Sequence, residues 1–233
     1  MPDETESGGR GRGAPPPSIA AGLQRFAWDL QAQPVVQFPG MVLWGATQNG
    51  PLVVPGAYQA RLTVDGRAQT QSFAVKKHPY HTATEAEMQE QYDLAIQIRD
   101  KVNEANNAIV QIRRIKQALL DRESKSTNAD VKEIAEQLIK ELTAVEVDVY
   151  QVKNQSNQDP LNFPIKTNNR LASLLRVVEA GDGKPTGNTG PIFNDLKAEL
   201  KVETDRLQKA LSTYLPRFNQ LAQRLGLEQI PEK

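Results

Sequence analysis

"PGAYQARLTVDGRAQTQSFAV", residues 55–75, carries the reading on which the fold turns. Tyr58, Ala60, Leu62 and Val64 alternate with Gln59, Arg61, Thr63 and Asp65, the period-two pattern of a strand with one apolar face. Asp65-Gly66 then supplies a type I′ turn, because both central residues of that turn need positive φ and this dipeptide tolerates it. Phe73 and Val75 close the return strand. One β-hairpin is therefore expected here, and the question is what lies on either side of it.

Upstream, the period stays at two. In "LQRFAWDL", residues 23–30, Phe26, Trp28 and Leu30 point one way and Arg25, Ala27 and Asp29 the other. "FPGMVLWG", residues 38–45, adds another apolar segment. Short alternating segments cut by Gly and Pro predict a small antiparallel β-sandwich over residues 19–78.

Downstream of "KKHPYH" the period becomes seven. Met88, Ala95, Val102 and Ile109 form one line, and Ile98, Ala105, Ile112 and Leu119 a second line three positions on, which is an a/d seam predicting a helix over 84–122. Val131, Ala135, Leu138, Leu142, Val145, Val149 and Val152 define a second helix, with "STNAD" as its capping sequence. Leu171, Leu174, Leu175 and Val178 define a third, ending at Gly181. The fourth starts near Pro191 and runs through Phe193, Leu196, Leu200, Leu207, Leu211, Tyr214, Phe218, Leu221 and Leu225, with a kink expected at Pro216. Four helices with one apolar stripe each bury those stripes against one another, so residues 79–233 are expected to form an antiparallel four-helix bundle. The fold class is thus α+β.

Composition excludes several functions. The chain has 233 residues, with 28 Lys plus Arg against 28 Asp plus Glu, so no bulk field draws it to nucleic acid or anionic lipid. It contains no cysteine, which removes disulfides, thiolate nucleophiles and sulfur-ligated zinc but leaves the compartment open. No apolar run approaches the ~20 residues that cross a bilayer, so membrane insertion is not expected. Residues 1–18, "MPDETESGGRGRGAPPPS", lack the apolar core of a signal peptide and have little to bury, and read as a disordered linker. Arg10 and Arg12 beside Asp3, Glu4 and Glu6 offer RNA phosphate little net attraction.

"GLQRFAWDL", "FPGMVLWG", "GPLVVPGAYQARLTVDGRAQTQSFAVKK" and "NQDPLNFPIKTNNRLASLLRVV" together resemble the C-terminal region of bacterial sortilin-like (VPS10-type) β-propeller proteins, often called BNR-repeat or glycosyl hydrolase proteins. The β part also resembles the immunoglobulin-like module of the flagellar hook-capping family, through Trp28-Asp29 and Pro55-Gly56-Ala57-Tyr58. The resemblance covers most of residues 19–230. It implies a β-propeller domain or protein as partner, and a secreted or periplasmic location in relatives that carry the propeller. The Asp-box repeats of such propellers are missing here, so the resemblance brings no catalytic residues. A chain that begins within a linker also raises the expectation of a fragment or split reading frame.

A direct search for chemistry finds little. The loop "AGDGKPTGNTG", residues 180–190, is Gly-rich and holds Lys184, but Val178 stands where a phosphate loop needs its first Gly and Pro185 where it needs Ser or Thr. His78 and His81 are the chain's two histidines; with Glu85 or Glu87 they offer a metal face, and alone the base of a cryptic hydrolase, without any Gly-x-Ser-x-Gly elbow. Glu85 with Glu87, and Glu199 with Glu203, sit among Lys and Arg as a solvated helix face does. Asn154 begins an Asn-Gln-Ser glycosylation triplet. Trp28, Trp44 and Tyr58 are the candidate ligand-facing aromatics of a carbohydrate-binding module, for which polysaccharide is the ligand; at strand spacing such residues also build a core. No catalytic, cofactor-binding or metal residue is assigned. The sequence reads as a non-catalytic accessory region acting in attachment, assembly or scaffolding, with the carbohydrate-binding module and the hydrolase as rivals.

Overall fold

The structure, a computed structural model, describes residues 22–181 and 183–232. The linker expected over 1–18 lies outside them. Among the described residues the elements run β1 (Gly56–Val64), β2 (Arg67–Val75), α1 (Glu85–Ser124), α2 (Ala129–Val149), a 3-10 turn (Asp159–Leu161), α3 (Thr167–Val178) and α4 (Thr189–Arg224).

The helices stand where the heptads place them. Thr84 caps α1 through a capping box: its hydroxyl accepts from Glu87 N at 3.2 Å and Glu87 Oε2 accepts from Thr84 N at 2.8 Å. The bonds its carboxylate accepts from Thr84 N and, at 2.9 Å, from the Thr84 hydroxyl hold the Glu87 carboxyl below the usual glutamate range. Asn128 caps α2 by accepting from Asp130 N and Val131 N. Helix α2 ends at Val149, so Val152 lies beyond it and is half-exposed. Helix α3 ends at Val178, three residues before Gly181, and α4 continues through Pro216. Ile98, Ile109, Ile112, Leu119, Leu138, Leu142, Leu171, Leu175, Leu200 and Phe218 form the fully buried centre where the four helices pack together.

The β-sandwich is not there. Among the described residues the only sheet is two-stranded, β1 against β2, in the register Tyr58↔Phe73, Ala60↔Gln71, Leu62↔Gln69 and Val64↔Arg67. The turn is as expected, with φ of 49° at Asp65 and 78° at Gly66. Residues 22–30 carry no regular structure and pair with no strand, and the stretch 31–54 contributes only an isolated bridge, Gln31↔Leu52. Prolines at 34, 39, 51 and 55 explain part of this, since each removes a ladder donor. The larger cause is competition: the apolar residues of 31–54 bury themselves on the helices. Val35 and Phe38 are 3% and 6% exposed and belong to the same core as the helices, with Met41, Leu43 and Ala46 packed against it.

Residues 31–54 form a strap over the bundle. Its two legs join through Ala32 N to Pro51 O (2.8 Å) and Val35 N to Gln48 O (3.1 Å). They approach so closely at Gly50 that a Cβ there would lie 2.0 Å from Ala32 O, which is why this position takes glycine. Leu30, with φ of 61°, is the strained corner at which the chain turns from the arm (22–30) into the strap.

Candidate interaction surface

The strap is held by helix side chains acting in place of a neighbouring strand. Asn169 of α3 accepts from Trp44 N and donates to Trp44 O, both at 2.8 Å, matching one residue of a sheet ladder with a single amide. Asn103 and Asn106 of α1 divide the same task at Val36: Asn103 Oδ1 accepts from Val36 N and Asn106 Nδ2 donates to Val36 O, each at 2.7 Å. Asn219 repeats the arrangement at the other end of the chain, accepting from Ile230 N at 2.8 Å and donating to Ile230 O at 2.9 Å.

Tyr150, buried at the end of α2, donates its hydroxyl to Gly40 O and accepts from Val42 N, both at 3.0 Å. Phe38 meets the Tyr150 ring edge-on at 5.0 Å, and Arg113 lies over both rings at 4.8 and 5.4 Å. Arg113 also donates to Glu146 at 2.7 Å and to Pro39 O at 3.1 Å. Lys116 donates to the second Glu146 oxygen at 3.0 Å, so this nearly buried carboxylate has two cationic partners. None of these anchors was expected from the sequence. The signal available was the asparagines at 103, 106, 168 and 169 within otherwise apolar-periodic helices.

The hairpin differs in every respect. Only Tyr58 and Val75 of its two strands are partly buried; all other residues are exposed. Its register places Tyr58, Ala60, Leu62, Val64, Phe73 and Val75 on one face together with Arg67, Gln69 and Gln71, which stand opposite Val64, Leu62 and Ala60; Leu62 is 60%, Val64 56% and Phe73 39% exposed. The base of that face is covered by the arm. Trp28 meets Tyr58 at 5.6 Å and Phe73 at 6.1 Å, both edge-on, while Tyr58 and Phe73 stack at 6.0 Å. Trp28 donates its indole N–H to Gln31 O at 2.9 Å and Tyr58 its hydroxyl to Val54 O at 2.6 Å, so both rings are fixed. Burial, with Tyr92 adding to it, pushes the Tyr58 phenol up. Towards the tip, Leu62 and Val64 have no such cover.

Of the aromatics expected to face a ligand, Trp28 and Tyr58 therefore share one cluster. Trp44 is on the strap instead, half-exposed above α3. The three do not form one platform. His78 is exposed and His81 partly so; both line a cavity of about 280 Å³ between hairpin, strap and α1, together with Met88, Gln91, Tyr92 and Glu179. Glu179 accepts from Leu52 N at 3.2 Å, and burial raises its carboxyl above the usual glutamate range against that bond.

Among the described residues no group of three or more His, Asp or Glu side chains is placed to hold a metal. Glu87 is committed to the α1 cap, Glu199 pairs with Arg170, and Glu203 pairs with Arg206 at 2.8 Å. Lys184 faces Glu90 at 3.5 Å. Asn154 is only 6% exposed, which withdraws its amide from glycosylation. No described helix is long and apolar enough to cross a membrane.

No family model, curated protein or solved structure matches the chain.

Proposed function

We propose that this chain is a non-catalytic accessory region in which the helical bundle and its strap hold a β-hairpin open for attachment or assembly, the partner being a sortilin-like β-propeller domain or protein. The observation that carries the reading is the exposure of Leu62 and Val64 on the tip half of the hairpin face. An isolated two-stranded hairpin is at best marginally stable in water, and such a face is ordinarily closed by a second layer. The motif resemblance supports the choice of partner. The rival hydrolase finds His78, His81 and Glu179 around one cavity, where His78 Nδ1 accepts from Tyr80 N at 3.3 Å.

The test uses an immobilised sortilin-like propeller domain. The wild-type chain is expected to be retained and the Leu62→Glu, Val64→Glu variant to pass through, with unchanged helix content. Equal retention of both overturns the assignment of the surface. Release of product from aryl glycosides, esters or phosphates that is lost in His78→Ala, His81→Ala overturns the non-catalytic reading instead. Binding to insoluble polysaccharide lost in Trp44→Ala promotes the carbohydrate-binding module.

A further inference from the structure

The apolar face leaves open which edge of the hairpin a partner strand joins, and the register answers it. In a hairpin with a two-residue turn the flanking pair, Val64 and Arg67, exchanges hydrogen bonds, so Val64, Leu62, Ala60 and Tyr58 turn their backbone groups toward β2. Ala57, Gln59, Arg61 and Thr63 turn theirs outward. Among the described residues nothing pairs with them.

Edge strands are normally blunted by proline, inward charge, a bulge or shortness. Strand β1 is 9 residues long, has no proline, and carries its one charge, Arg61, on the polar face. It is also self-complementary. A two-fold axis through Ala60 sets Ala57 opposite the Thr63 of another copy and Gln59 opposite its Arg61, so each outward N–H and C=O meets one in register. On the apolar face the same axis sets Tyr58 opposite Leu62. The bare Leu62 and Val64 of one copy then lie beside the Tyr58–Trp28 cluster of the other. The edge of β2 matches its backbone groups about Gln71 but not its side chains: that two-fold sets Gln69 against Phe73 and the charged Arg67 against Val75.

We infer that β1 is a self-association edge, at which two copies of this chain pair antiparallel about Ala60 into a continuous four-stranded sheet. This deepens the reading of the hairpin as an interaction surface and names a second copy as an occupant of its edge. The two Arg61 side chains fall diagonally across the axis on the wet face, so added salt strengthens the association.

The chain has no cysteine, so a single introduced thiol reports the geometry. Ala60→Cys places two thiols opposite each other in a non-hydrogen-bonded pair, where Cβ atoms lie about 4.5–5.5 Å apart, close to disulfide reach. Under mild oxidation the full-length Ala60→Cys chain is expected to convert to covalent dimer, and Gln71→Cys to remain largely monomeric. Sedimentation velocity of the wild type is expected to show a concentration-dependent dimer that Arg61→Pro abolishes; proline there removes an outward N–H and leaves the bonds to β2 intact. A wild type that stays monomeric from low to high micromolar concentration overturns the inference, as does equal cross-linking of the two cysteine variants or a dimer indifferent to Arg61→Pro. A monomer that still binds the propeller domain through Leu62 and Val64 overturns the pairing alone and leaves the proposed function standing.

Discussion

The strap (31–54) and the hairpin (56–75) are adjacent in sequence and alike in pattern, yet they solve the same physical problem in opposite ways. Both are extended chain with backbone groups that need partners. The strap takes its partners from helix side chains and sinks Val35 and Phe38 into the helical core. Among the described residues the strands of the hairpin pair only with each other, and Leu62 and Val64 stand in water. The difference teaches that an apolar extended segment does not need a sheet when a helix offers amides at the right places. The strap's apolar residues belong to the folded core, whereas Leu62 and Val64 of the hairpin do not.

The largest effect that could break this division is cavity formation. Phe38→Ala removes a buried ring from the contact between Tyr150 and Arg113 and is expected to cost about 3–5 kcal/mol in urea denaturation. Leu62→Ser, on the hairpin's bare face, is expected to stay within about 0.5 kcal/mol. Comparable costs would mean that the hairpin, too, is part of the folded core.

The next effect isolates the hydrogen bonds of the strap from its packing. Tyr150→Phe keeps the ring against Phe38 but removes the hydroxyl that serves Gly40 O and Val42 N, and is expected to cost about 1–3 kcal/mol. Amide exchange should rise at Val42 and not at the paired residues of β1 and β2. A uniform rise across strap and hairpin would show that the two unfold as one unit.

These residues also show what the sequence made legible. The seam Ile98, Ala105, Ile112, Leu119 is fully or almost fully buried, and the Asp65-Gly66 turn has the positive φ values expected, because periodicity and turn chemistry are local properties. The fate of "FPGMVLWG" is not local. Its apolar run is equally suited to a strand or to a strap, and only the positions of Asn106, Asn169 and Tyr150, up to 125 residues away in sequence, decide between them. The candidate surface divided in the same way: Trp28 and Tyr58 meet because they flank one hairpin face, whereas Trp44 is taken out of that set by Asn169.

The smallest effect concerns Glu179, the one link between strap and bundle that titrates with a raised pKa. Its carboxyl accepts from Leu52 N, and burial outweighs that bond, so its pKa in the folded chain lies above the ordinary glutamate value. Between the ordinary and the raised value the folded state holds more protons than the unfolded one, and stability therefore falls as pH rises through that window. Glu87, Asp121 and Asp159 are shifted downward by hydrogen bonds to Thr84, to Lys125, and to Gln155 and Ser156 respectively, so their stabilisation is lost on the acid side as pH falls through their lowered values. The two sets act on opposite sides of the ordinary carboxylate range. Glu179→Gln keeps an acceptor for Leu52 N and removes the buried charge, so the variant is expected to be slightly more stable than wild type at neutral pH. The gap should close as pH falls into the glutamate range. The hydrogen bond from Leu52 N works against burial, which keeps the effect small. Denaturation midpoints of the pair measured from acid to neutral pH check the sign: a variant less stable at neutral pH would make Glu179 a charged clasp on Leu52 in place of a buried acid that the strap tolerates.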